Sequence, residues 1–160
     1  MLTNGESSPN FALKDQDGVD YSLKGFLGKP LVLLFFRGIF CPSTVKALAG
    51  WQDFTRSLDD LGFSILAISG DTQENHSAYK ESHGLSFSLL SDPDLVVSKK
   101  YGIYINFAET RGYFGEPGLV VIDSEGNVAY SVISSGPKGL PDPGAVASVL
   151  IYMSKRGGKY

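Results

Sequence analysis

The chain has 160 residues, a formal net charge of -3 and 42% apolar residues, with charges of both signs interspersed along it. That length suits one domain, 1–160, burying roughly two-thirds of the surface its unfolded chain exposes, and no basic stripe offers a nucleic acid or an anionic membrane a footing. One cysteine, Cys41, and two histidines, His76 and His83, are too few for an intrachain disulfide or a thiolate zinc cluster, so no metal site is expected.

In chain order, residues 1–10 are polar and turn-forming. Phe11-Ala12-Leu13 alternates as a short strand, Asp15-Gln16-Asp17-Gly18 supplies a turn and Tyr21-Ser22-Leu23 a second strand, which predicts an opening hairpin. Leu31-Val32-Leu33-Leu34-Phe35-Phe36 is a continuous apolar run, the pattern of a strand covered on both faces, and it breaks at Arg37-Gly38. From Ser43 to Leu61 apolar residues recur at Leu48, Trp51, Phe54, Leu58 and Leu61, one face of a helix. Gly62 suits the stop of that helix, and Phe63-Ser64-Ile65-Leu66-Ala67-Ile68-Ser69 follows as a strand. Strand, helix and strand make a right-handed βαβ unit with parallel strands.

Asp71 or Thr72 suits the N-cap of a helix over residues 73–83. Its weak periodicity places it on the surface, with His76 and His83 exposed. Phe87-Ser88-Leu89-Leu90 reads as a short strand, Asp92-Pro93 as a helix start and Leu95 to Tyr101 as a short helix that stops at Gly102. No period wins between Ile103 and Pro117, which reads as a loop. Leu119-Val120-Val121-Ile122 and Val128-Ala129-Tyr130-Ser131-Val132-Ile133 flank Asp123-Ser124-Glu125-Gly126-Asn127 as an antiparallel hairpin. Asp142-Pro143 starts a last helix with Val146, Val149, Leu150 and Met153 on one face and Lys155-Arg156 at its end.

The one cysteine falls where the central strand gives way to a helix. Pro42 suits the first helical turn, where no backbone N–H is needed, so Cys41 belongs at the N-cap or in the first turn. There the unpaired N–H groups and the positive end of the helix dipole favour a thiolate over a thiol. A buried strand feeding an acidified thiol is the expected active site.

The element order describes an α/β protein with the thioredoxin-like arrangement, a mixed sheet flanked by helices, extended here by an N-terminal β-hairpin. Pro9-Asn10-Phe11-Ala12-Leu13, Gly28-Lys29-Pro30, Cys41-Pro42, Leu89-Leu90-Ser91-Asp92, Tyr101-Gly102, and Val121-Ile122-Asp123 with Gly126 occur in an order that resembles the peroxiredoxins. These belong to the alkyl hydroperoxide reductase and thiol-specific antioxidant superfamily, and the resemblance runs from about Gly5 to Ile151. It implies that Cys41 is a nucleophile whose thiolate attacks the terminal oxygen of a peroxide and becomes a sulfenic acid, which a second thiol resolves.

Gly38 and Leu34 stand where most peroxiredoxins carry a threonine and a proline, and Pro117 stands at the position of the distal arginine, ahead of Gly118-Leu119. The pattern resembles a divergent one-cysteine branch with an Arg-Gly pair four residues before Cys-Pro, here Arg37-Gly38, and a proline before the last strand pair. Thr44 replaces the second cysteine of the Cys-Pro-x-Cys motif that this branch often carries. Arg37 could fold back on the thiolate, or instead reach solvent or pair with an acidic residue. Thr44, one helical turn after Cys41, could donate to its sulfur. The resemblance makes Pro117 a cis-proline facing the thiol and groups it with Phe40 along a substrate groove, to which Arg111 could add a second positive charge.

Two functions follow. One is a one-cysteine thiol peroxidase without a prosthetic group, which reduces hydrogen peroxide or a small organic hydroperoxide and is regenerated by glutathione or a thioredoxin-type protein. The resemblance makes a homodimer reasonable. The other is a redox-inactive thioredoxin-fold binding or interaction protein that keeps the scaffold. Dithiol exchange within one chain is excluded by the single cysteine. The longest apolar run falls far short of the ~20 residues that span a bilayer, and Met1-Leu2-Thr3-Asn4-Gly5-Glu6 has the features of neither part of a secretory leader. The chain is expected in the cytoplasm, with no membrane or nucleic-acid partner.

Overall fold

The fold was obtained as a computed structural model that describes residues 2–107, 112–114, 116–134 and 139–160. Its strands are β1 (Ala12–Asp15), β2 (Asp20–Ser22), β3 (Leu31–Phe35), β4 (Ser64–Ser69), β5 (Ser88–Ser91), β6 (Ile105–Phe107), β7 (Gly112–Phe114), β8 (Gly118–Ile122) and β9 (Val128–Ile133). The helices are α1 (Pro42–Leu61), α2 (Gln73–His83), α3 (Val96–Lys100) and α4 (Pro143–Ser154). Seven strands form one sheet in the order β2-β1-β5-β4-β3-β8-β9. β3 pairs in parallel with β4 and β4 with β5, while β8 and β9 are antiparallel and the β1–β2 hairpin joins antiparallel to β5. This is the thioredoxin-like α/β arrangement, with the hairpin widening the sheet on the β5 side.

The apolar run at residues 31–36 lies at the heart of this sheet for the reason its composition gives. Successive side chains of a strand point to opposite faces. Val32, Leu34 and Phe36 enter one core with Leu48, Trp51 and Leu58 of α1 and Val146, Leu150 and Met153 of α4. Leu31, Leu33 and Phe35 enter the other with Phe11, Val97, Tyr101 and Ile103. Every residue of β3 is buried, so both registers of the strand must be apolar. A break in the run would leave a polar group in one of two dry layers.

The connections are closed by local chemistry. Gly62 ends α1 with φ +85°, a backbone shape that costs a glycine nothing. Asp92 holds the first turn of α3, its carboxylate accepting from the backbone N–H groups of Val97 and Ser98. Tyr101 ties the N-terminal segment to the second core by donating to the Pro9 carbonyl at 2.6 Å, and burial pushes its phenol up to about 12. Trp51 Nε1 donates to the Pro141 carbonyl at 2.9 Å and fastens the approach to α4 onto α1.

Two expectations need correction. The stretch between Ile103 and Pro117 is not loop alone: β6 and β7 pair antiparallel with Ile105 opposite Phe114. Backbone pairing makes a two-stranded ribbon of three residues a strand there, too short for a period to announce it. The helix over residues 73–83 does not simply lie on the surface, because His76 and Tyr79 are buried. His83 is exposed and stacks on Tyr79, with ring centroids 4.0 Å apart.

Candidate active site

β3 and β4 end side by side, Phe35 paired with Ile68, and the Phe36 N–H extends that ladder by donating to the Ile68 carbonyl at 3.0 Å. Beyond these carboxyl ends run two short loops, one over residues 36–41 and one over residues 70–72. Open α/β sheets place ligands at this edge.

The first loop leads the chain into α1. Gly38 turns it with φ +149°, a backbone shape that residues with a Cβ rarely adopt, and a Cβ there would also press on the Phe40 ring. Cys41 N–H donates to the Gly38 carbonyl at 3.1 Å, and the Cys41 carbonyl accepts from Thr44 N–H at 2.9 Å to start the helix. Cys41 is the N-cap of α1, with extended backbone angles (φ -90°, ψ 117°), and Pro42 occupies the first helical position. The placement expected from the sequence is the one observed.

Cys41 is half-buried and its sulfur is free. Sγ lies 3.0 Å from the Ser43 hydroxyl. Burial pushes the thiol pKa up, but hydrogen bonds from the Ser43 hydroxyl, the backbone N–H groups of Thr44 and Ser43 and the Thr44 hydroxyl outweigh it. The net result is a thiol held below its ordinary value. Hydrogen bonds to the charged form favour it, and the N–H groups at the second and third helical positions are those an N-cap side chain normally takes. Ser43 is the residue the sequence reading missed. Its signal was a hydroxyl at the second helical position, within reach of its neighbour's sulfur.

Thr44, a candidate donor, is buried in this first turn, where its N–H and its hydroxyl both favour the Cys41 anion. Arg37 is half-buried; its Nε is sequestered and has no hydrogen-bond partner among the described residues. The Arg37 charge acts on Glu116, whose carboxyl is raised by burial and drawn partly back by that guanidinium. The groups that lower the Cys41 pKa belong to α1. Phe40 stands 61% exposed beside Cys41, the most exposed large apolar side chain among the described residues.

Pro117 is buried at the entry to β8, where its carbonyl accepts from Ser134 N–H at 2.8 Å. There is no cis peptide bond among the described residues. The cis geometry implied by the resemblance is therefore not found, and the trans peptide carries the chain straight into the β8–β9 ladder, where Gly118 faces Ile133. Arg111 lies outside the described residues.

The second loop brings further polar groups to the same edge. Asp71 Oδ2 accepts from Ile39 N–H at 3.0 Å and from the Ser69 hydroxyl at 2.7 Å. Behind them His76 is fully buried, its Nε2 2.8 Å from Ser69 Oγ and its Nδ1 3.1 Å from Ser91 Oγ. Burial lowers its pKa, against the raising effects of the Asp71 charge and the Leu89 backbone. The reading of His76 as an exposed surface histidine is corrected here. Its place at the carboxyl edge, seven residues after a strand-end serine, was the available signal.

The arrangement is a thioredoxin-like sheet with one cysteine at the N-cap of α1. The pattern of the AhpC/TSA family matches residues 4–131, and the chain belongs to that family. It is 35% identical over 131 residues to a chloroplastic peroxiredoxin Q of Triticum aestivum, an alignment covering 81% of this chain and 58% of the relative. The chain thus spans little more than half the length of that relative. Among solved structures, the peroxidoxin BcpB of Mycobacterium tuberculosis superposes with a TM-score of 0.81 at 21% identity, covering 98% of each chain. A reduced Prx3 of Vibrio vulnificus, determined in complex with H2O2, gives 0.83 at 24% identity, over 94% of this chain and 99% of that one. Both likenesses establish the fold.

Proposed function

We propose that the protein is a thiol-dependent peroxidase that reduces hydrogen peroxide or small organic hydroperoxides through Cys41. One observation carries the reading: the sulfur sits at the N-cap of α1, 3.0 Å from the Ser43 hydroxyl, where the donors of Ser43 and Thr44 favour its anion. The thiolate is the nucleophilic form of cysteine. In the first step the Cys41 sulfur attacks the terminal oxygen of ROOH, the O–O bond breaks, and the alkoxide leaves and takes a proton as ROH. Sulfur is oxidised to a sulfenic acid and the peroxide is reduced.

A single cysteine cannot close an intrachain disulfide. An external thiol must therefore attack the sulfenic sulfur, releasing water and forming a mixed disulfide. A second thiol equivalent breaks that disulfide, restores Cys41 and leaves as the oxidised reductant. Glutathione or a thioredoxin-type protein fits this demand. A lone free thiol also suits a reducing compartment such as the cytoplasm, and a homodimer completes the proposal. Among the described residues no helix is long and apolar enough to cross a membrane.

Exposure of the protein to limiting peroxide without reductant is expected to add one oxygen at Cys41, read by intact mass, and excess peroxide to add a second. Glutathione or a thioredoxin-type reductant should restore turnover. Cys41 that stays an unmodified thiol through the titration would refute the enzymatic reading and leave a thioredoxin-fold binding protein.

A further inference from the structure

We infer that Asp71 is a positioning residue for the cysteine loop: its carboxylate, fixed by Ser69 and His76, holds the Ile39 N–H and so sets where Cys41 presents its sulfur. This rests on the peroxidase reading and assigns that site a support from outside the loop. The loop over residues 36–41 is pinned at its start by the β3–β4 ladder and at its end by the first turn of α1. Between these, Gly38 gives the backbone no side chain to restrain it. Ile39 N–H reaches across to Asp71 Oδ2 at 3.0 Å, a charge-assisted bond of the stronger kind. Gly38 makes that reach possible through its φ of +149°, a backbone shape that residues with a Cβ rarely adopt.

The carboxylate is fixed by a chain of donors whose protons can be counted. The Ser69 hydroxyl has one proton and gives it to Asp71 Oδ2 at 2.7 Å. Its oxygen then accepts from Asp71 N–H at 3.2 Å and from His76 at 2.8 Å. That puts the imidazole proton on Nε2 and leaves Nδ1 to accept from the Ser91 hydroxyl at 3.1 Å. Ser69 and His76 are 2% and 0% exposed, so the chain of bonds is shielded from water and anchored on β4, α2 and β5. A loop held this way presents its sulfur in one orientation, and misplacement by about 1 Å can cost on the order of a hundredfold in rate.

Two rates on the same thiol separate positioning from acidity. Attack on a peroxide O–O bond needs an aligned sulfur, whereas alkylation by iodoacetamide at a pH where the thiol is fully ionised needs only an exposed one. In Asp71→Ala, oxidation by hydrogen peroxide is expected to slow about tenfold or more, with alkylation within about twofold of wild type. Asp71→Asn, with its amide oxygen in the place of Oδ2, keeps an acceptor for both the Ile39 N–H and the Ser69 hydroxyl, and should recover peroxide oxidation to within about threefold of wild type. Amide exchange at Ile39 should accelerate in Asp71→Ala and not in Asp71→Asn.

An unchanged ratio of the two rates in Asp71→Ala, or an Asp71→Asn protein as slow as Asp71→Ala, would overturn the inference. If Asp71→Ala does not unfold cooperatively, Ser69→Ala replaces it and is expected to lower the same ratio about threefold; an unchanged ratio there overturns the inference too. A wild-type Cys41 inert to peroxide is a different outcome, which defeats the peroxidase reading itself.

Discussion

The starts of α1 and of α2 and α4 make opposite use of the same physics. At α2 the Thr72 hydroxyl accepts from Asn75 N–H at 3.2 Å, and at α4 the Asp142 carboxylate accepts from Gly144 N–H at 2.7 Å. Oxygen caps of this kind contribute about 1 kcal/mol each. The 20-residue α1 has Cys41 in that position and no side-chain cap bond. The field of its first N–H groups instead falls on sulfur and, with the Ser43 and Thr44 hydroxyls, lowers the thiol pKa. Two helices direct their free donors to holding themselves together; the third directs them to holding a charge on a nucleophile.

Cys41→Ser breaks that contrast most completely. It puts an oxygen cap on α1, so peroxide consumption should vanish while the protein gains about 0.5–1 kcal/mol of stability. Peroxide assays and equilibrium unfolding on the same preparation check both halves. A serine variant that is no more stable than wild type would mean that the N–H groups of α1 are not available to an oxygen cap.

Ser43→Ala sharpens the contrast by removing one donor and leaving the helix. The thiol pKa should rise, because the lost hydroxyl favoured the anion, and oxidation at neutral pH should slow several-fold. Well above the free-thiol value of ~8.5 both proteins are fully ionised and their rates should converge. Absorbance of the thiolate against pH supplies the first reading and stopped-flow oxidation the second. The folded pKa lies below the unfolded one, so the thiolate contributes stability above the unfolded value that is lost as pH falls through the folded one. Ser43→Ala should shrink that alkaline gain.

Thr72→Ala and Asp142→Ala test the other side of the comparison. Each should cost about 0.5–2 kcal/mol of unfolding free energy while leaving the Cys41 titration where it is. A shift of that titration in Asp142→Ala would show that the cap of α4 is coupled to the thiol through the Pro141–Trp51 contact with α1.

How far the sequence displays all this varies with the physical signal. The central strand was legible because Leu31 to Phe36 fill two cores at once and leave no room for a polar residue. Cys41 was legible because a proline follows it where a helix must begin. Ser43 was not, since a serine in a first helical turn is ordinary in any helix. The β6–β7 ribbon was not read because each of its strands has only three residues, too few for a period to show. His76 was misplaced because periodicity counts apolar side chains. The buried side of α2 is made by a histidine and a tyrosine, which such a count reads as polar.

That buried histidine carries the last and smallest prediction. Burial lowers the His76 pKa beneath the ordinary ~6.5 of an exposed imidazole, and the groups around it divide in their effects. Asp71 and the Leu89 backbone pull the value up, and the Phe36 ring, 5.8 Å from the imidazole, is part of the apolar surround. Burial wins, so the folded protein keeps His76 neutral at a pH where the unfolded chain has already taken a proton. Stability that is fully present above about pH 6.5 should then be lost as pH falls toward the folded value, because the unfolded state binds the extra proton. Denaturant midpoints between about pH 7.5 and 5.5 should fall in wild type and fall less in His76→Gln, which cannot titrate there. Parallel curves for the two proteins would mean that His76 takes up its proton in the fold at the same pH as in the unfolded chain. In that case the Nε2 proton could still reach Ser69, but Nδ1 would carry a proton as well and Ser91 would have to accept it, reversing the bond that now closes the chain at β5.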